Sequence, residues 1–447
     1  MKNIVVIGGG ISGLTKAYWL SKSGNKVTLL EARDVVGGSM RTIRKSGYLI
    51  DLGPNSGLET THYIGRMVEE LGLKDDFIYA NEEGNIRYIL KNNELLPLPT
   101  GGKAFLKSKL FSAKAKIRLL GEPFVGKSED GYYQSIAKFV RRRLGSEFLD
   151  YAIDPFVSGV YAGDPSKLSV KSAFPKLYRL EEVYGGLIKG MIKGAKERKR
   201  RAEESKQSAK MFSFANGMQS FPEAIAHYLG NNVITGAAVS EVVKKGEEYS
   251  VKYANEGREF EINADEVISA VPAYVAAGIF RKTDKKLSEH LNSVYYPSVM
   301  VLFLGYDKSK IKRPLDGFGF LIPGLEKKKF LGAIWSSVIF PNRAPEGKAG
   351  FTLFVGGSKK QDYDWDNPDK IVTEVLPEFE KIMNISGAPE LIHYSVWKKA
   401  IPQYNLGYIE HEKYFEKFEN ENKGIYLTAN YRKGISVGDC VKNNSPE

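Results

Sequence analysis

Three glycines and one carboxylate carry the first recognisable chemistry in this chain. Gly8, Gly10 and Gly13 set the spacing G-x-G-x-x-G, with Ile11 and Ser12 between the last two. Glycine there allows a tight turn and lets a pyrophosphate approach the N–H groups that open a helix. Glu31, followed by Ala32, stands where a carboxylate can bond the hydroxyls of a ribose. The elements around these residues must hold them in place. Residues Asn3 to Ile7 form a short β-branched run that reads as a buried parallel strand, Leu14 to Leu20 reads as a helix, and Lys26 to Leu30 reads as a second strand ending at the acid. Strand, helix, strand and carboxylate together form the context in which the glycine spacing indicates dinucleotide binding.

A second glycine pair separates the candidate dinucleotides. Gly37-Gly38-Ser39-Met40-Arg41 is unnecessary for a nicotinamide site. It suits a longer cofactor, with more backbone along the pyrophosphate at Gly38 and Met40 and positive charge from Arg41. Asp51-Leu52-Gly53-Pro54-Asn55-Ser56 then offers another tight turn with polar side chains. The expected cofactor is noncovalent FAD. Taken together, these first segments resemble the flavoproteins of the amine oxidase and phytoene desaturase superfamily.

Composition bounds what else the chain can be. Its 447 residues leave room for two or three domains at roughly 100–200 residues each. Hydrophobic content of 42% and charged content of 26% exclude a disordered chain. One cysteine, Cys440, excludes a disulfide framework and any four-thiolate site, and reads as a packing residue. The five histidines lie far apart and show no metal-ligand spacing, so no metal is expected. No G-x-S-x-G elbow suggests a hydrolase. No apolar run approaches the roughly 20 residues of a membrane span, and the N-terminus turns to glycine too early for a signal peptide. The expectation is a reduced cytoplasmic setting. The net charge of +12 suits a polyanionic partner, and no recognition helix or stacking motif points to nucleic acid.

The middle of the chain changes character. The proline-punctuated stretch 84–99 reads as an extended loop. Ile136, Phe139, Val140, Leu144, Phe148, Leu149 and Ala152 recur at helical spacing, with Arg141-Arg142-Arg143 alongside. Asp154-Pro155 is expected to stop that helix. The basic segment Lys196 to Arg201 reads as a solvated helix or linker, or as a contact with an anionic membrane. Met211 to Phe214 is strand-like, Asn232 to Thr235 and Ala238 to Val242 read as strands of a small sheet, and Asp265 to Ala270 returns toward the first domain. Residues 295–357 read as a separate, mostly antiparallel sheet. Gly424 to Asn430 is a strand.

Three segments make the resemblance specific. Asp154 to Ser169, with Tyr161-Ala162-Gly163-Asp164-Pro165 at its centre, resembles the signature of protoporphyrinogen oxidases. So do Ile401-Pro402-Gln403-Tyr404 and Asn430 to Gly438, and the similarity runs from Met1 to Cys440. The chain departs from the family in ending seven residues after Cys440, where relatives continue through a longer helix, and in carrying Thr428-Ala429 before Asn430. The resemblance implies a mixed α/β (α+β) fold in discontinuous parts. These are an FAD domain at 1–85, 206–275 and 393–447, a helical membrane-associating domain at 86–205, and a substrate-binding antiparallel sheet at 276–392. It further assigns Val239, Trp397, Ile435, Ser436 and Val437 to the cofactor.

The implied reaction is oxidation of protoporphyrinogen IX to protoporphyrin IX by molecular oxygen, releasing hydrogen peroxide, in haem biosynthesis. Coproporphyrinogen III is the alternative substrate. A porphyrinogen is large, apolar and carries carboxylate tails, so its pocket should be mostly apolar with few charged anchors. Among the residues that match the family, Arg87 would pair with a propionate, Leu321, Ile334 and Phe354 would sandwich the macrocycle, and Gly159 would let backbone approach it in a Val-Ser-Gly-Val turn. No side chain is assigned a catalytic role, since hydride transfer to a flavin depends on geometry more than on a strong base. The implied partners are the inner face of the cell membrane, bound peripherally, ferrochelatase, and a second copy of the chain. A flavin oxidase of amines or polyenes and a non-catalytic flavin- or haem-binding escort remain as other readings.

Overall fold

The computed structural model describes residues 1–201 and 209–446. Five parallel strands lie at its centre in the order Val233–Ile234, Lys26–Leu30, Asn3–Ile7, Glu266–Ser269 and Ile425–Leu427. Asn3–Ile7 is buried from its second residue onward, because a strand covered on both faces has no polar side to show. Ile4 and Val6 pack with the helices Ile11–Lys22, Ser220–Leu229 and Val437–Asn444. Val5 and Ile7 belong to the core on the opposite face. That core includes the antiparallel meander Ala238–Lys245, Glu248–Asn255 and Arg258–Ala264. Residues 232–235 and 238–242 therefore do not share one small sheet. The first supplies the edge of the parallel sheet, while the second opens the meander.

A seven-stranded sheet forms the second body of the molecule. Its order is Leu391–Trp397, Val299–Asp307, Lys348–Gly356, Gly332–Ile334, Gly317–Leu321, Ile86–Lys91 and Glu94–Pro97. All neighbours are antiparallel except Gly317–Leu321 with Ile86–Lys91. One face, including Met300, Leu302, Phe320 and Leu353, is buried under the helix Pro368–Met383.

The stretch 84–99 is thus a hairpin at the sheet edge and not a loop. Its turn is built from Asn92 and Asn93 at φ 53° and 61°, the left-handed backbone that asparagine tolerates. Pro97 sits at the end of the outermost strand, where a missing N–H removes no ladder bond.

The helical region also differs from expectation. Asp154-Pro155 does not end a helix. Gly145, at φ 94°, makes the break, and helical backbone then runs through 146–148, a π-helical segment Leu149–Ile153 and the helix Asp154–Tyr161. Proline in the first turn of that last helix gives up no intrahelical N–H bond there, so the path survives it. Gly159 consequently lies within a helix, not in a turn.

Arg143, beside the apolar stripe in sequence, is fully buried between Glu122 and Glu181. Glu122 also accepts the Leu187 and Ile188 N–H groups, at 2.7 and 3.0 Å, that open the helix Leu187–Arg201. The backbone of that helix covers Lys196–Arg201, whose side chains lie outside the described residues, as does the expected 205/206 boundary. Among the described residues, no helix is long and apolar enough to cross a membrane.

Candidate active site

The carboxyl ends of the parallel strands converge on the glycine-rich turn, the place where such sheets bind ligands. Gly8 has φ 104°, which favours glycine, and a Cβ on Gly13 would lie 2.0 Å from the Gly8 carbonyl oxygen. The turn can close only without those side chains. Gly10 caps the helix Ile11–Lys22 without any side-chain bond, and open space lies where its Cβ would be. Ile11, Ser12 and Gly13 are buried in the first turn, so an uncapped helix N-terminus faces that space, which suits a diphosphate. Glu31 is buried at the end of its strand. It accepts the Gly9 N–H at 2.7 Å and the Arg33 N–H at 3.0 Å, and retains lone pairs for hydroxyl groups. Ala32, next to it, is exposed.

The second glycine pair packs directly on the first turn. Gly37 N–H bonds the Gly9 carbonyl at 2.8 Å, and a Cβ on Gly38 would meet the Gly10 Cα at 3.2 Å. Buried Met40 and Arg41 follow, and Arg41 forms no ion pair among the described residues. The Asp51–Ser56 turn is pressed against this loop. Leu52 N–H bonds the Arg41 carbonyl, and a Cβ on Gly53 would overlap the Ser39 oxygen at 2.0 Å. Pro54 and Ser56 are half-buried, and Asn55 is buried with an Oδ1 that has no hydrogen-bond partner.

Asp51 itself receives Thr42 Oγ1–H and Met218 N–H and lies 3.5 Å from Arg343. Burial pushes its carboxyl up, and Arg343 and the two hydrogen bonds offset part of that. Sequence reasoning missed Arg343, which lies far from any motif.

Trp397 links this cradle to the seven-stranded sheet. Its indole N–H donates to the Leu52 carbonyl at 2.8 Å, and the Arg33 guanidinium lies 5.8 Å from its ring. Val239 is the second residue of the meander's first strand, two residues after Ala237, whose N–H bonds the Glu31 carbonyl. Ile435, Ser436 and Val437 open the helix Val437–Asn444, where Ser436 Oγ accepts the Asp439 N–H at 3.1 Å. Val437 and Cys440 pack in the core cluster that contains the helix Ile11–Lys22. Glycine turns free of side chains, an uncapped helix, a buried acid and an orphaned Asn55 oxygen fit an FAD. When bound, the flavin supplies an acceptor for hydride.

The free face of the seven-stranded sheet carries the remaining candidates. Register places Thr352, Ile334, Gly319 and Arg87 in one cross-strand row and Phe354, Gly332, Leu321 and Ile89 in the next. Val301 pairs with Phe354, and Val299 pairs with Trp397. Residues opposite one another or two apart share a face, so a continuous surface runs from Arg87 to Trp397 at the cofactor turn. Leu321, Ile334 and Phe354 are each half-buried. Gly159 approaches from the helix Asp154–Tyr161, and a Cβ there would lie 2.4 Å from Leu321 Cδ2.

Arg87 stacks its guanidinium 5.2 Å from the Phe318 ring and has no carboxylate partner among the described residues. Arg87 is exposed at the surface, and partial desolvation of its guanidinium by the surrounding sheet lowers its pKa. Sequence reasoning missed Phe318, because simple alternation groups it with Phe320 on the opposite face, and only the register shift between Gly317 and Gly319 accompanies its approach to Arg87.

The three signature segments meet beside this face. Gln403 Nε2–H bonds the Tyr161 carbonyl at 2.8 Å, and Ser169 N–H bonds the Tyr404 carbonyl. Tyr404 O–H donates to the Asn430 carbonyl and accepts the Gly434 N–H at 2.9 Å. Of the five histidines, His290 and His411 come together with their Nδ1 atoms 3.0 Å apart, and burial lowers the pKa of both. Sequence separation hid that pair.

Residues 11–443 match the family of flavin-containing amine oxidoreductases. Protoporphyrinogen oxidase 2 of Arabidopsis thaliana is 32% identical over 98% of this chain and 92% of its own length. Coproporphyrinogen III oxidase of Bacillus subtilis is 30% identical over 98% of this chain and 96% of its own length. A crystal structure from Exiguobacterium sp. matches with a TM-score of 0.80 at 22% identity, covering 99% of this chain and 97% of that one, which shows the shared fold. The chain is an FAD-dependent oxidoreductase of the flavin-containing amine oxidoreductase family, in the group that holds protoporphyrinogen and coproporphyrinogen III oxidases.

Proposed function

We propose that the chain oxidises a porphyrinogen, protoporphyrinogen IX first among them, to the corresponding porphyrin in haem biosynthesis. One observation carries this reading. An apolar sheet face runs from the cofactor turn at Trp397 to the exposed guanidinium of Arg87, which has no carboxylate partner among the described residues. A carboxylate tail entering this slot loses water, and the Arg87 guanidinium is the natural compensation. Leu321, Ile334 and Phe354 would lie along the ring and exclude water, while Gly159 leaves the opposite wall thin. Six electrons leave the substrate in three two-electron steps. Three molecules of oxygen take them up, giving three of hydrogen peroxide. Residues 1–85, 206–275 and 393–447 would form the cofactor domain, with 86–205 and 276–392 as helical insert and substrate domain. The hairpin at 86–97 and the strand Leu391–Trp397 extend the substrate sheet past those boundaries.

The helical insert supports a peripheral contact with the inner face of the cell membrane. The helix Ala113–Leu120 buries no residue, and Ile117, Leu120 and Phe124 are 68%, 73% and 90% exposed among Lys114, Lys116 and Arg118. Apolar residues flanked by cations suit an anionic lipid surface. A second copy of the chain and ferrochelatase would complete the partners. The deciding experiment follows porphyrin fluorescence and oxygen uptake with protoporphyrinogen IX and with coproporphyrinogen III. Turnover of amines with neither porphyrinogen oxidised would overturn the reading.

A further inference from the structure

We propose that Lys359 is a positioning residue, which clamps the helix Asp154–Tyr161 at a fixed distance from the sheet face and so sets the width of the substrate slot. The inference rests on the porphyrinogen reading above and assigns that slot its gauge.

The strand Lys348–Gly356, which carries Phe354, ends in a turn at 357–359 that grips both ends of the helix. At the helix C-terminus, Ala162 is left-handed at φ 50°, and its carbonyl accepts the Ser358 N–H at 2.7 Å. Gly357, at φ 81°, comes so close that a Cβ would meet the same carbonyl at 2.9 Å. At the N-terminus, Lys359 Nζ pairs with Asp154 Oδ1, while Asp154 Oδ2 accepts the Gly324 N–H at 2.8 Å. Between the two fastenings lies Gly159 in contact with Leu321.

Lys359 itself is exposed, but its partner is not, which sets the pair apart from ion pairs between two solvated side chains. Asp154 is only 6% exposed and both its oxygens are engaged across the slot. It also stands immediately after the π-helical segment Leu149–Ile153, where the helical backbone is least regular and most in need of an external tie. Among the described residues Lys359 forms its ion pair with Asp154 and none with the cofactor turns or the Arg87 row, so its effect on substrate must pass through the helix.

The test compares Lys359→Met and Lys359→Arg with the parent protein, using protoporphyrinogen IX kinetics and hydrogen exchange of the 154–161 amides. For Lys359→Met the apparent KM should rise about tenfold, in line with the sensitivity of bound geometry to small displacements, while kcat per flavin changes little. Exchange across 154–161 should quicken by at least about tenfold, as expected when a local tie is removed, with 136–143 unchanged. Flavin content should equal the parent's, and Lys359→Arg should restore both readouts. Parent-like exchange at 154–161 in Lys359→Met overturns the clamp whatever the substrate proves to be. So does a parent-like KM with only the active fraction reduced. If the exchange effect appears but the parent oxidises neither porphyrinogen, the clamp stands and the substrate reading fails.

Discussion

At the cofactor cradle the decisive atoms belong to the backbone, whereas across the proposed substrate face they belong to side chains carried by separate strands and a helix. The cradle is assembled by omission. Gly8, Gly13, Gly37 and Gly53 each stand where a Cβ would meet a carbonyl oxygen or a neighbouring side chain at 3.0 Å or less. The substrate face is assembled by register, since Arg87, Ile334 and Phe354 come together only after their strands pair. A backbone site tolerates almost no change at its glycines and says little about substrate. A side-chain site can be retuned one residue at a time, and this is where related flavin oxidases can diverge.

The harshest way to break the comparison is Gly13→Val. Its side chain has nowhere to go, so the purified variant should be colourless, with visible flavin absorbance and turnover both lost. Gly10→Ala sharpens the point, because no protein atom meets the added methyl but it enters the space left for the diphosphate, so the fold should survive while flavin content falls.

Next in size is Arg143→Met, away from both sites. It leaves Glu122 and Glu181 buried without their cation, which costs roughly 3–5 kcal/mol on the usual scale for such pairs. Chemical denaturation should show the loss. Desolvation alone would raise Glu181, but hydrogen bonds from Ser128 and the arginines Arg143 and Arg142 outweigh it and hold its pKa below the ordinary value. A depressed folded value means that its stabilisation is present above the unfolded pKa of about 4.3 and disappears as pH falls through the folded value. A parent denaturation midpoint that does not fall in that acidic range would contradict this.

Arg87→Ala comes third. Loss of a desolvated carboxylate partner costs roughly 2–5 kcal/mol, so the apparent KM should rise at least about tenfold, a change of about 1.4 kcal/mol. Flavin content should not change. Arg87→Lys should recover only part of the loss, since it keeps the charge without the planar fork. Three equal KM values would remove Arg87 as the anchor.

The smallest effect is expected at the insert. Phe124→Ser should weaken cosedimentation with anionic vesicles severalfold. Added salt should weaken it further, because attraction between exposed charges is screened beyond roughly 10 Å at about 0.1 M. Vesicle binding that ignores both changes would leave the exposed ring without that role.

The two regions were unequally legible. Gly8, Gly10, Gly13 and Glu31 could be placed from spacing alone, because one strand, one turn and one helix suffice to position them. Arg87, Leu321, Ile334 and Phe354 could be named only through family resemblance, since sequence spacing holds no record of cross-strand register. The hairpin at 86–97 was hidden by its prolines, which at a sheet edge do no harm. The helix through Pro155 was hidden for a related reason, as a proline in a first turn gives up a bond the helix does not use. Lys359 and Arg343 left no signal at all, because each lies outside any motif and meets its aspartate, Asp154 or Asp51, only through the tertiary fold.

The interleaved order of the parallel sheet has a consequence for how the protein is made. Its second and third strands are Lys26–Leu30 and Asn3–Ile7, yet the fourth, Glu266–Ser269, and the fifth, Ile425–Leu427, come from the middle and the far end of the chain. A ribosome adding about 5–20 residues per second must run for tens of seconds before the last strand exists. During that time the strand Glu266–Ser269 presents an unpaired edge and the helix Ile11–Lys22 lacks the Val437–Asn444 helix that packs beside it. From the emergence of Glu266–Ser269 until that of Ile425–Leu427 the nascent chain is therefore exposed to edge pairing at this strand, and the parallel sheet is complete only near the end of synthesis.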